Sequence, residues 1–133
     1  MEAQCQCGKL TAQISGFGAG VMCHCKACQR RSGSPYGMMV YFSADAVEIT
    51  GKATDFTRLA DSGNEVTTGF CPICGSTMYL KTALHPDGIG IAVGAIQDWS
   101  PPYPVRSVFE EGNKHDWVTV PQSTQRFPRG RNG

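Results

Sequence analysis

Short runs rich in β-branched and aromatic residues recur along this chain, and glycine or polar turn clusters separate them. The runs at 9–15, 37–42, 47–50, 55–59, 65–70, 77–81, 89–95 and 105–109 read as strands, because such side chains pack well on a pleated, half-buried surface. Thr50-Gly51-Lys52, Asp61-Ser62-Gly63-Asn64 and His85-Pro86-Asp87-Gly88 supply the turn chemistry between them. The pattern predicts a mainly β domain of antiparallel sheets. One stretch differs. Residues 24–31 contain no β-branched side chain and stop at Ser32-Gly33-Ser34-Pro35, which predicts a short helical turn carrying Cys25 and Cys28. A second short helical turn is expected at 95–98, ahead of Pro101-Pro102. No internal repeat is evident. The expected organisation is one domain over 1–120 and an irregular tail over 121–133, which is polar and contains arginine.

Composition narrows the class of partner. A chain of 133 residues buries roughly two-thirds of its unfolded surface, enough for a core of its own. Twelve Lys and Arg face eleven Asp and Glu, a balance that argues against a nucleic-acid partner. No apolar run approaches transmembrane length, so no membrane partner is expected, and a homo-oligomer stays open. The opening MEAQCQCGKLTAQ has no signal-peptide core, so a reducing, cytoplasmic setting is expected. There, seven cysteines point to metal binding or catalysis, and an odd number suits a disulfide framework poorly.

Those cysteines fall into three clusters: Cys5-x-Cys7, Cys23-x-Cys25-x-x-Cys28 and Cys71-x-x-Cys74. Short pairs of this kind assemble thiolate zinc sites. Three partitions are open. Cys5, Cys7, Cys71 and Cys74 can close a tetrahedral site while Cys23, Cys25 and Cys28 form a three-sulfur site. Alternatively, Cys25, Cys28, Cys71 and Cys74 make a ribbon, with a spacer much longer than the usual 15–20 or so residues. A single site with three cysteines unused is the third. The first partition uses every sulfur, and three sulfurs leave one zinc position open, the mark of a catalytic site. In Cys71-Pro72-Ile73-Cys74-Gly75, proline stiffens the turn and Gly75 permits a left-handed backbone. Gly8 does the same after Cys7.

CQCG, CHCKACQRRSGSPYG and CPICG, in that order, closely resemble the family of glutathione-dependent formaldehyde-activating enzymes, which also includes centromere protein V. The resemblance implies a β-tent of antiparallel sheets stitched by two zinc ions. It implies a structural zinc on Cys5, Cys7, Cys71 and Cys74 and a catalytic zinc on Cys23, Cys25 and Cys28. It further implies carbon–sulfur lyase chemistry on the adduct of formaldehyde with a small thiol such as glutathione. A three-thiolate zinc suits this chemistry. It is a weak Lewis acid for water, yet it lowers the pKa of a fourth thiol from about 8.5. The competing reading is a non-catalytic binding module held together by zinc.

The residues around the central trio are weighed more plainly. Lys26, Arg30 and Arg31 cannot all share one helix face. Ser32, Ser34 and Tyr36 suit capping and turn roles better than proton transfer. Two adjacent residues point apart, so His24 is expected beside the site or at the surface rather than as a ligand. His85 is expected to be exposed. His115 is expected in a surface loop anchored by Trp117, and Met38 and Met39 as core filler.

Overall fold

A computed structural model of the chain describes residues 1–97 and 104–133. They form two compact units. The first comprises Met1–Gly18 and the chain from Val40 to the edge of the undescribed stretch, and the second comprises Ala19–Met39 and the chain from Pro104 onward. Among the described residues, no helix is long and apolar enough to cross a membrane.

In the first unit, β1 (Glu2–Gln4), β2 (Thr11–Ile14) and β5 (Val47–Thr50) make a three-stranded antiparallel sheet in the order β1-β2-β5. The chain reaches β5 along β4 (Gly37–Ser43) and a 3-10 turn at Ala44–Ala46. An antiparallel meander follows: β6 (Thr54–Leu59), β7 (Glu65–Phe70), β8 (Thr77–Thr82) and β9 (Gly88–Ala92). Leu10, Val40, Phe42, Met78, Ile89 and Ile91 fill the core beneath, with Cys5 and Cys71 buried among them. Gly69 lies opposite Tyr79, whose ring occupies the space a β-carbon at Gly69 would need. The Tyr79 hydroxyl then reaches across to donate to Asp55 Oδ1 at 2.5 Å. One close approach thus ties together three strands.

The second unit is built differently. β3 (Ala19–Cys23) leads into α1 (Lys26–Ser32), and β10 (Pro104–Val108) lies parallel to β3 on one side and parallel to β11 (Gln125–Phe127) on the other. These two parallel pairings add to the antiparallel sheets expected from the sequence. Parallel neighbours need a crossover of about a dozen residues or more, not a tight turn. The polar stretch 109–124 provides that crossover between β10 and β11.

All eight expected strands are present. The run at 89–95 ends as β9 at Ala92 and tightens into a 3-10 turn at Val93–Ala95. The helical turn expected at 95–98 therefore comes earlier than predicted, and its end at Asp98 lies outside the described residues. β1, β3 and β11 were not anticipated, and β11 gives extended structure within a segment expected to be irregular. The helix expected over 24–31 runs from Lys26 to Ser32. Cys25 is its N-cap, and Gly33 closes it in the left-handed conformation at φ 66°.

Candidate metal centres

The first unit brings Cys5, Cys7, Cys71 and Cys74 together, with all four sulfurs within 4.8 Å of one another. Two tight turns do this. Gly8 N–H donates to Cys5 O at 3.1 Å, and Gly75 N–H donates to Cys71 O at 2.8 Å. Both glycines take the positive φ the turns require, 82° and 77°. A further bond, from Gln6 N–H to Ser76 Oγ at 3.0 Å, joins one turn to the other. Cys5 Sγ lies 3.6 Å from Cys7 Sγ, and Cys7 Sγ lies 3.7 Å from Cys71 Sγ. A tetrahedral zinc with bonds of about 2.3 Å spaces its sulfurs at about 3.8 Å, so the donor set fits such an ion.

The surroundings of the sulfurs pull in opposite directions. Ser76, through its hydroxyl and its amide, pulls the Cys74 thiol down to about 5. For Cys7, a hydrogen bond from the Lys9 amide favours the thiolate, but burial and the neighbouring sulfurs prevail and push it up to about 11. Four thiolates cannot crowd together unaided. A divalent ion removes that conflict by favouring the deprotonated form of each.

The second unit gathers Cys23, Cys25 and Cys28, again with sulfurs within 4.8 Å. Cys23 ends β3, opposite Val108 of β10. Cys25 is the N-cap of α1, its sulfur accepting from Cys28 N–H at 3.4 Å, and Cys28 sits on the first turn facing inward. The two neighbouring thiols raise the Cys23 pKa. Gly37 is placed so that a β-carbon would meet Cys28 Cβ at 3.1 Å and the Arg31 guanidinium more closely still. This group also could hold a metal ion, with one sulfur fewer than a tetrahedron needs.

His24 lies between two of these cysteines and is fully buried, so the surface alternative is closed. Its Nε2 lies 2.9 Å from Ser107 Oγ. Burial holds its pKa below the ordinary value. Ser107 Oγ donates to Glu110 Oε2 at 2.5 Å, and Arg126 grips the Glu110 carboxylate with Nη2 at 2.7 Å from Oε1 and Nε at 3.0 Å from Oε2. Hydrogen bonds from Arg126 are the main reason the Glu110 carboxyl is held below its usual range.

Neighbours of the trio take mostly structural roles. Ser32 Oγ donates to Cys28 O at 2.8 Å and receives Ser34 N–H at 3.2 Å. The Tyr36 ring lies against the His24 ring, with centroids 5.6 Å apart. Lys26 and Arg30 are exposed one turn apart, while Arg31 is half-buried beside Gly37. His85 is exposed, and Met39 is buried with Met38 half-buried. His115 Nε2 pairs with Gln29 Oε1 at 3.0 Å, and its ring stacks on Trp117. Trp117 is 71% exposed, so it does not anchor the loop, whereas Val118 beside it is buried. Ser107, Glu110, Arg126 and Gln29 were not singled out from the sequence. No local spacing links Ser107, Glu110 and Arg126 to the cysteines, and Gln29, although next to Cys28, carries no metal-ligand signal.

The glutathione-dependent formaldehyde-activating enzyme family model matches residues 1–112. A search of curated proteins found no match. Among solved structures, the crystal structure of a Rhodobacter sphaeroides protein is similar, with a TM-score of 0.61 and 20% sequence identity over 76% of this chain and 92% of that one. At that identity the likeness shows a shared fold.

Proposed function

Because the chain belongs to the glutathione-dependent formaldehyde-activating enzyme family, we propose that it is a zinc-dependent carbon–sulfur lyase acting on the adduct of a small thiol, such as glutathione, with formaldehyde. In the forming direction the thiol sulfur bonds to the aldehyde carbon, and the thiol proton passes to the aldehyde oxygen. In the cleaving direction the carbon–sulfur bond breaks, and the hydroxyl proton returns to sulfur. The observation that carries this reading is the convergence of three sulfurs, from Cys23, Cys25 and Cys28, where a tetrahedral ion takes four. A zinc ion held there would supply a positive centre with one place free, at which a substrate thiol loses its proton more readily.

The chain's own residues divide the work. Cys5, Cys7, Cys71 and Cys74 hold a structural zinc within the first unit's core. Cys23, Cys25 and Cys28 hold the catalytic zinc. The Tyr36 ring packs against that of His24 within the Cys23–Cys28 segment. Lys26 and Arg30, exposed on α1, offer positive charge to a thiol bearing carboxylates.

Cobalt substitution tests the proposal, since its absorption bands report the ligand set. Protein loaded to two metals per chain should shift toward a four-sulfur spectrum at the second site when glutathione or a simpler thiol is added. About one proton should be released per site. The Cys25→Ser variant should lose the response. A loaded protein whose bands respond to no thiol, and which neither makes nor cleaves the formaldehyde adduct, would instead be a zinc-held binding module.

A further inference from the structure

His24 occupies an unusual position. It separates Cys23 from Cys25, so wherever its backbone goes, both sulfurs follow. Its main chain is tied at both ends: His24 N–H donates to Val108 O at 3.1 Å, and His24 O accepts from Gln29 Nε2 at 2.8 Å. The imidazole is tied by Ser107. The proton order along this chain of groups follows from chemistry. The Glu110 carboxylate, gripped by Arg126, can only accept. Ser107 therefore spends its one proton on Glu110, and its oxygen must accept from His24 Nε2–H. This fixes the tautomer and leaves Nδ1 as a bare acceptor, which is buried and has no partner among the described residues.

A second observation points the same way. Phe109, between Ser107 and Glu110, takes φ 56°, a conformation that bulky L residues rarely adopt. The turn is held open by bonds on both sides. Phe109 N–H donates to Gly130 O at 3.1 Å, and Asn113 Nδ2 donates to Phe109 O at 3.1 Å. This strained turn brings Glu110 back within reach of the Ser107 hydroxyl. Strain of this kind persists only where surrounding structure enforces it, and it gathers near functional sites. Gly130, one of the groups that enforce it, and Arg126, which grips Glu110, lie beyond the 1–112 stretch that the family model matches.

We infer that Ser107, Glu110 and Arg126 form a brace that acts through His24 to position the backbone from which Cys23 and Cys25 present their sulfurs. The inference rests on the reading that this trio holds a metal. These are positioning residues, since their side-chain hydrogen bonds run to one another and to His24. If filling the core were the only need, an apolar side chain would serve at position 24, and a buried polar chain would be an expense without return. Groups that orient ligands from behind typically change metal affinity about 10–100-fold when removed.

The test uses the full chain loaded with cobalt and measures release to a competing chelator. Two phases are expected, and Cys25→Ser identifies the trio's phase because it lacks it. Ser107→Ala should weaken the trio about 10-fold or more and alter its cobalt bands, leaving the four-sulfur site as it was. Arg126→Gln, at a half-exposed side chain that tolerates change, should shift the ratio of the two affinities in the same direction. An unchanged ratio in both variants, whether both sites hold or both weaken together, overturns the brace. A wild-type protein that binds one metal only, at the four-sulfur site, fails earlier: the reading of the trio as a metal centre falls, and the brace with it.

Discussion

Cys71 and Cys25 bear the same thiol, yet their loss should be felt very differently. Cys71 is buried in the core of the first unit, with its sulfur facing three others. A structural zinc can contribute about 10–16 kcal/mol in small zinc peptides, against about 5–15 kcal/mol for the net stability of a whole domain. Cys71→Ser should therefore lower the thermal midpoint sharply or prevent folding. Cys25→Ser should keep the midpoint near wild type and lose about one metal, as read by denaturation and metal analysis side by side. Gly69→Ala is a second residue-scale case. A methyl there collides with the Tyr79 ring, and overpacking of this sort costs about 1–3 kcal/mol, visible as a lower denaturation midpoint with the metal content unchanged. Cysteine spacing made all seven proposed ligands legible, because chelation by short pairs is a local property. The brace was illegible: His24 and Ser107 meet across 83 positions, and no periodicity announces such a contact. Trp117 was misjudged for a related reason. A lone aromatic in a polar stretch reads as an anchor, but here it stacks on His115 in the open while Val118 goes inside.

Among the elements, α1 was the easiest to find and the simplest to perturb. Its missing β-branched residues and its Ser-Gly-Ser-Pro stop were both visible, and Gly33 closes it at φ 66°. A left-handed conformation costs an L residue roughly 1–2 kcal/mol. Gly33→Ala should thus destabilise the protein by about that amount in urea titration, and it should quicken metal release from the trio because Cys28 rides on this helix. Strands with dense β-branched content were recognised nearly to the residue, as with Val47–Thr50 and Glu65–Phe70. The three that escaped have little such content. β1 is Glu-Ala-Gln, β11 is Gln-Arg-Phe, and β3 starts with Ala-Gly. Each is extended because it has a neighbour to pair with. For β3 and β11 the parallel sense is set by long connections that local pattern does not encode.

At the scale of the whole molecule, acidity offers a further check. The Glu110 carboxyl is held below its ordinary value of 4.5, first by Arg126, against the opposing cost of burial, with Ser107 adding to the effect. A depressed folded-state value means the group binds protons more readily in the unfolded chain. Its stabilisation is complete above about pH 4.5 and is lost as pH falls through the lower, folded-state value. Thermal melts of wild type and Glu110→Gln should therefore differ most near neutral pH and converge in acid. A gap that stays constant down to pH 3 would show that the carboxylate charge contributes nothing.

The path of the chain between its two units also dictates an order of events during synthesis. Cys23, Cys25 and Cys28 leave the ribosome before β10 and Arg126 do. The whole of β5 to β9 must emerge in between. Over that interval the growing polypeptide carries three neighbouring thiols on an unbraced segment, open to oxidants and to stray soft cations. The pair at Cys5 and Cys7 is released from that exposure once Cys71 and Cys74 appear. The central trio waits longer, until β10 and Arg126 have been made, with one metal site already complete and the other still chemically exposed.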